Sequence, residues 1–160
     1  QKTWNPWQGC HPVSEGCSHC YMARDKRRYG QDPTVVVRSS KATFNRPLSK
    51  SWSTPAKVFT CSWSDFFIEE ADAWRPEAWD IIRRTPWLTY QILTKRPERI
   101  AACLPPDWGD GWPNVWLGVT AGQDQQLLEG SLHRITLWGG GLMIFLWGLY
   151  YYFVHRHMRR

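Results

Sequence analysis

The middle of the chain carries a repeating rhythm of short apolar runs and amphipathic stretches. Lys57 to Cys61 (KVFTC) has the pattern of a buried strand, Arg75 to Arg84 (RPEAWDIIRR) places its apolar residues on one helical face, and Leu88 to Leu93 (LTYQIL) is again strand-like. Pro76 falls in the first turn of that helix, where a missing N–H costs no intrahelical bond. Pro97 to Leu104 (PERIAACL) predicts a second short helix, Asn114 to Val119 (NVWLGV) a third strand, and Gln123 to His133 a third helix. Strands alternating with helices predict a parallel sheet with right-handed crossovers, hence an α/β fold.

The flanks break this rhythm. Tyr21 to Tyr29 (YMARDKRRY) reads as a short polar helix closed by Gly30, with Asp32 and Pro33 opening the next loop. Thr34 to Val37 is a β-branched run that predicts a short strand, and Ala42 to Pro55, rich in Ser, Pro and Asn, reads as an ordered connection. At the other end, Ile135 to Val154 has no charged residue and is followed by HRHMRR. That length can just span a bilayer, with Arg156, Arg159 and Arg160 on the cytoplasmic side and Tyr150 to Tyr152 near the interface. Gly139 to Gly141 argue against a helix there, and a buried or aggregating tail is the alternative. The division expected is an α/β domain over residues 1–130 and an atypical hydrophobic segment over 131–160.

Composition adds bounds. At 160 residues the chain is one domain by length. Twenty Lys and Arg against 14 Asp and Glu give a formal charge of +6, which permits attraction to nucleic acid or anionic lipid. Twelve tryptophans are scattered without a fixed interval, which excludes a simple repeat and leaves core packing or base stacking as their use. The five cysteines are an odd number, Cys61 and Cys103 lie far apart, and no signal peptide opens the chain, so a reducing cytoplasm is expected rather than a disulfide framework. Gln1 is not an initiator methionine, from which a fragment or a processed form is expected.

The chemistry concentrates in Cys10, Cys17 and Cys20, spaced C-x6-C-x2-C. Three thiolates can hold a [4Fe–4S] cluster with one iron open to a ligand. They can equally join a zinc site, for which His11, His19 or Cys61 would be the fourth ligand. In α/β folds ligands sit at the carboxyl ends of the strands, so Ser62 to Asp65, Thr94 to Arg96 and Thr120 to Asp124 are the candidate rim. Ser62 and Asp65 can also serve as plain caps of a turn, and Lys95 and Arg96 as a solvated pair before Pro97. No phosphate-cradling loop is present, because Gly139 to Gly141 lacks the following lysine and hydroxyl residue, and the histidines show no hydrolytic spacing.

Four stretches, TWNPWQGCHPVSEGCSHCYMAR, KVFTCSWSDFF, YQILTKRPERI and NVWLGVTAGQDQ, together resemble a phage-associated three-cysteine-motif family of unknown function. That family is commonly grouped with radical S-adenosylmethionine (SAM) enzymes. The resemblance covers roughly residues 3 to 126 and implies a partial (βα) barrel of radical SAM type. It implies that Cys10, Cys17 and Cys20 ligate the cluster and that its open iron takes SAM. Ser62 to Asp65 would then hold the SAM amino group, with Asp65 the acceptor, while Lys95 and Arg96 would meet the SAM carboxylate or an anionic substrate. The basic helix residues Arg24, Lys26, Arg27 and Arg28, with the phage association, make nucleic acid an expected substrate class, and a protein encoded nearby is an expected partner. A zinc-stabilised nucleic-acid-binding module and an inactive remnant are the competing readings.

Two departures accompany the resemblance. Radical SAM enzymes typically carry C-x3-C-x2-C with an aromatic residue before the last cysteine, whereas this chain has the longer gap and His19 there. From about Leu127 the chain no longer follows the family, so a truncated or frameshifted end is expected, with an incomplete barrel and an unpaired sheet edge.

Overall fold

The computed structural model describes residues 1–121 and, as backbone, the two strands Leu142–Phe145 and Tyr150–Val154. The central layer is a parallel sheet of β1 (Lys2–Trp4), β4 (Ala56–Thr60), β5 (Leu88–Thr94) and β6 (Val115–Ala121), in that order. Trp4 aligns with Thr60, Thr60 with Ile92 and Ile92 with Leu117. In β5 burial alternates strictly, with Leu88, Tyr90, Ile92 and Thr94 facing the interior. A separate two-stranded antiparallel ribbon joins β2 (Trp7–Gln8) to β3 (Val37–Arg38).

Among the described residues four α-helices accompany the sheet: α1 (Tyr21–Arg28), α2 (Lys41–Phe44), α3 (Arg75–Arg84) and α4 (Pro97–Cys103). The crossover helix α3 buries Ala78, Trp79, Ile81 and Ile82, the face its periodicity predicts. Between β3 and β4, the segment without a period is ordered: Ser40 caps α2 by accepting from Thr43 N, and Phe44, Pro47 and Trp52 are buried. The core joins Trp4, Trp7, Phe44, Val58, Phe66, Phe67, Trp79, Ile82, Tyr90 and Ile92. Its aromatic rings meet mostly edge to face, as with Phe66 on Trp79 at 4.9 Å and Trp4 on Tyr90 at 5.6 Å. Packing thus accounts for the buried tryptophans, although Trp87 is partly exposed on the surface.

Several expectations shift. The first strand, β1, has no counterpart in the sequence pattern, because three residues are too few to show a period. The run Thr34 to Val37 contributes only its last residue to β3, since Asp32 Oδ1 accepts from both the N–H and the hydroxyl of Thr34 and holds a turn there. The described strands make an open, mostly parallel sheet, so the fold is mixed α/β and a closed barrel is not seen. The edge of β6 expected to lie unpaired carries β8 (Tyr150–Val154) in antiparallel register, followed by β7 (Leu142–Phe145). Two stretches of the apolar segment are therefore strands, and no helix among the described residues is long and apolar enough to cross a membrane. The helix expected over Gln123 to His133 and the Gly139 to Gly141 run lie outside the described residues.

Candidate functional site at the carboxyl edge of the sheet

Because β1, β4 and β5 run parallel, the loops that follow them emerge along one edge. They are the Asn5–Cys20 segment, the Cys61–Phe67 segment and the Lys95–Arg96 step. The sequence analysis placed its candidates on these loops, and the structure brings them together.

The first two loops are laced to each other. Asn5 Oδ1 accepts from Trp63 N at 3.0 Å and from Ser62 Oγ at 3.1 Å. Gly9 N donates to Trp63 O at 2.9 Å, and Ser64 Oγ donates to Gly9 O. Gly9 itself has φ +94°, and a Cβ built on it would lie 2.1 Å from Val35 O, so only glycine fits. Cys10 N then donates to Pro33 O at 2.9 Å. Beneath it, Cys61 ends β4 in the left-handed region at φ +58°, a rare conformation for a side-chain-bearing residue, with its N–H donating to Trp4 O. Beyond the cysteines, the Tyr21 hydroxyl donates to Ser62 O and ties α1 to the same rim.

Asp65 is the clasp between the second and third loops. Its Oδ1 accepts from Phe67 N at 2.9 Å and from the Thr94 hydroxyl at 2.7 Å, and its Oδ2 accepts from Lys95 N at 3.0 Å. The capping role is therefore real, and Oδ2 retains room for a further donor. Ser62 is engaged with Asn5 and offers its carbonyl to Tyr21 rather than a free hydroxyl.

The thiols meet the cations at this edge. Lys95 Nζ lies 3.7 Å from Cys17 Sγ, and Ser14 Oγ lies 3.7 Å from the same sulfur. Burial works to raise the Cys17 pKa, but hydrogen bonds from Val13 and Ser14 and the Lys95 charge outweigh it, so the thiol lies below its ordinary value. Cys10 behaves oppositely: burial first, then Asp65, Cys17 and Cys20, push it up to about 12 against the pull of Arg96. Cys10, Cys17 and Cys20 lie on the one segment that follows β1, and Cys17 is the thiol that Lys95 reaches. Cys61 is buried behind Cys10 and raised well above its ordinary value, chiefly by burial.

Arg96 is buried, with only 6% of its surface exposed. Its Nη2 donates to His11 O at 3.1 Å, while Nη1 is buried with no acceptor among the described residues. Lys95 and Arg96 are thus not the solvated pair that the sequence also allowed.

Three sulfur donors on one loop are the residue types that hold iron–sulfur or zinc groups, and Lys95 sets a positive charge beside Cys17. The thiols share a loop rather than a coordination sphere: among the described residues no three His, Cys, Asp or Glu side chains are gathered closely enough to hold a metal ion. Of the fourth ligands a zinc site would recruit, His11 is turned to Glu70 and Cys61 is strained and buried. On α1, Lys26 is buried with Met22, which leaves Arg24, Arg27 and Arg28 as the exposed basic residues. Thr120 sits at the end of β6, and Gly122 to Asp124 lie outside the described residues.

Sequence reasoning missed Asn5 and Gly9, whereas Thr94 fell within the expected rim. The dipeptides Asn5-Pro6 and Gly9-Cys10 were available signals, since both residue types favour turns and tight approach beside a motif.

Residues 1–135 match the family model described as a protein of unknown function, DUF5131, and the chain belongs to that family. No curated protein and no solved structure matches it.

Proposed function

For this member of a family without an assigned activity, we propose a radical SAM-type iron–sulfur enzyme in which Cys10, Cys17 and Cys20 hold a [4Fe–4S] cluster. The observation that carries the reading is the contact of Lys95 Nζ with Cys17 Sγ at 3.7 Å, which brings the three-cysteine loop after β1 to the carboxyl end of β5. A cation beside a thiol favours the thiolate that ligates a metal, and Lys95 stands in that position toward Cys17. Sequence resemblance, including TKRPER after β5, supplies the radical SAM class and the phage association.

When bound, the cluster would supply one-electron cleavage of the SAM sulfonium and hydrogen abstraction from a substrate. The chain's own part is to bind and orient. Lys95 steadies the Cys17 thiolate, and Arg96 holds the cysteine segment by donating from Nη2 to His11 O. Asp65 fixes the β5 end, and its Oδ2 can still accept from an ammonium. Cys10 packs against the buried core, which keeps water from that side of the site.

Counting iron and sulfide after anaerobic reconstitution tests the assignment. The parent chain is expected to hold both, and Cys17→Ala to hold neither while keeping its far-ultraviolet circular dichroism. Full iron and sulfide in Cys17→Ala overturn the ligand set.

A further inference from the structure

We propose that the outward face of α1 binds single-stranded nucleic acid beside the cysteine segment, with Arg24, Arg27 and Arg28 on its phosphates and Tyr21 and Tyr29 on its bases. This names a substrate class for the enzyme proposed above and rests on that reading for the role of the surface, although binding itself needs no cluster.

The first argument is the placement of the helix. α1 begins directly after Cys20, and the Tyr21 hydroxyl donates to Ser62 O, so its first turn is fixed to the rim that carries the cysteine segment. Met22 and Lys26, about one turn apart, are buried. Tyr21, Arg24 and Arg28, spaced by three and four residues, share the face turned outward, and Arg27 and Tyr29 beside them are exposed too. Eight residues make a helix about 12 Å long, the span of about three stacked phosphates on one strand.

The second argument is charge without a partner. On α3 and α4, Arg75, Arg83, Arg84 and Arg99 each pair with an aspartate or a glutamate. On α1, Arg27 and Arg28 have no ion pair among the described residues, and Arg24 meets its neighbour Asp25 while 76% of its own side chain stays exposed. The helix dipole favours a cation in the last turn, but Lys26 already supplies one there. Tyr29 is 73% exposed, with no ring contact and no hydroxyl partner among the described residues. Aromatic rings left in water beside guanidinium groups complement a partner that offers both negative charge and unpaired flat rings, which is a nucleic-acid single strand. A lipid surface would need an apolar outward face, whereas the apolar Met22 of this helix is buried. No amide or aliphatic hydroxyl stands on the helix to read a sugar 2′-OH, so DNA and RNA strands are expected to bind alike.

The test is fluorescence anisotropy of labelled oligothymidylate and oligouridylate of about 12 nucleotides, titrated with the full chain without cluster. Saturable binding is expected, weakening with salt at a log–log slope of about −2, as three phosphate contacts to a single strand give. Arg27→Gln with Arg28→Gln is expected to bring that slope to about −0.7. Arg83→Gln with Arg84→Gln, the same loss of charge on α3, is expected to leave it unchanged. Tyr29→Ala is expected to weaken binding by about tenfold and Tyr29→Phe to retain it, because the ring rather than the hydroxyl stacks. Far-ultraviolet circular dichroism confirms the fold of each variant. An equal fall in slope for both arginine pairs, no effect of Tyr29→Ala, or no saturable binding overturns the proposal. So does tighter binding to a duplex of the same length or to phosphatidylserine vesicles, or a preference beyond about tenfold for either sugar. Because the protein carries no cluster here, failure of this surface and failure of the cluster assignment are read separately.

Discussion

Lys95 Nζ stands 3.7 Å from Cys17 Sγ across 78 positions of sequence. The contact joins the loop after β5 to the middle of the cysteine segment, and it is the point where a strand-end cation meets a motif thiol. Cys17 lies below its ordinary pKa even though burial acts to raise it, while Cys10 is pushed up to about 12. In cluster-free protein, Cys17 is therefore expected to alkylate with iodoacetamide at neutral pH well before Cys10. Lys95→Met is expected to slow Cys17 by about fivefold, since the thiolate is the nucleophile. Peptide mass mapping over a pH series checks both, and equal rates for Cys10 and Cys17 refute the assigned order.

Gly9→Ala is expected to destabilise the chain by about 3 kcal/mol, because the substitution combines a left-handed backbone with a backbone clash at Val35. Urea denaturation measures it. A loss below about 1 kcal/mol would mean that the loop reseats without strain.

Asp65→Asn tests the clasp. The amide can still accept through one oxygen, but its NH₂ faces the Lys95 N–H or the Thr94 hydroxyl, so at least one buried donor loses its acceptor. A loss of about 2 kcal/mol is expected, read from the same denaturation curves. Unchanged stability would show that the loops after β4 and β5 are held by other contacts.

Alkaline pH should weaken the cluster-free fold. The Cys10 thiol has a folded pKa raised above its ordinary 9.0 to about 12, chiefly by burial. A raised pKa contributes stability that is complete below the unfolded value and is lost as pH rises through the folded one. Stability is thus expected to fall between about pH 9 and pH 12, and Cys10→Ser to lose part of that slope. A flat profile over the same window contradicts a partly buried thiol held protonated by its surroundings.

Much of this was legible in the sequence, for reasons visible in particular residues. Helix α3 was read to the residue because Pro76 marks its start and Ala78, Trp79, Ile81 and Ile82 repeat on one face. Strand β5 was read within one residue because Leu88, Tyr90 and Ile92 alternate with half-exposed positions. Strand β1 and the ribbon of β2 and β3 were not, since they are defined by pairing partners over 50 or about 30 positions away rather than by any local period. At the site, the strand-end rule pointed to Asp65, Lys95 and Arg96. It gave no sign that Asp65 is a clasp or that Arg96 is buried, because both depend on contacts between distant segments, Asp65 with Thr94 and Lys95 and Arg96 with His11.

The most direct measurement is electron paramagnetic resonance of the anaerobically reconstituted and reduced full chain, recorded with and without SAM. A cluster signal whose shape changes on adding SAM is the predicted result, since only an open iron lets SAM act on the spectrum. A colourless protein that retains zinc and shows no signal contradicts the iron–sulfur assignment, and a cluster signal indifferent to SAM contradicts the open iron.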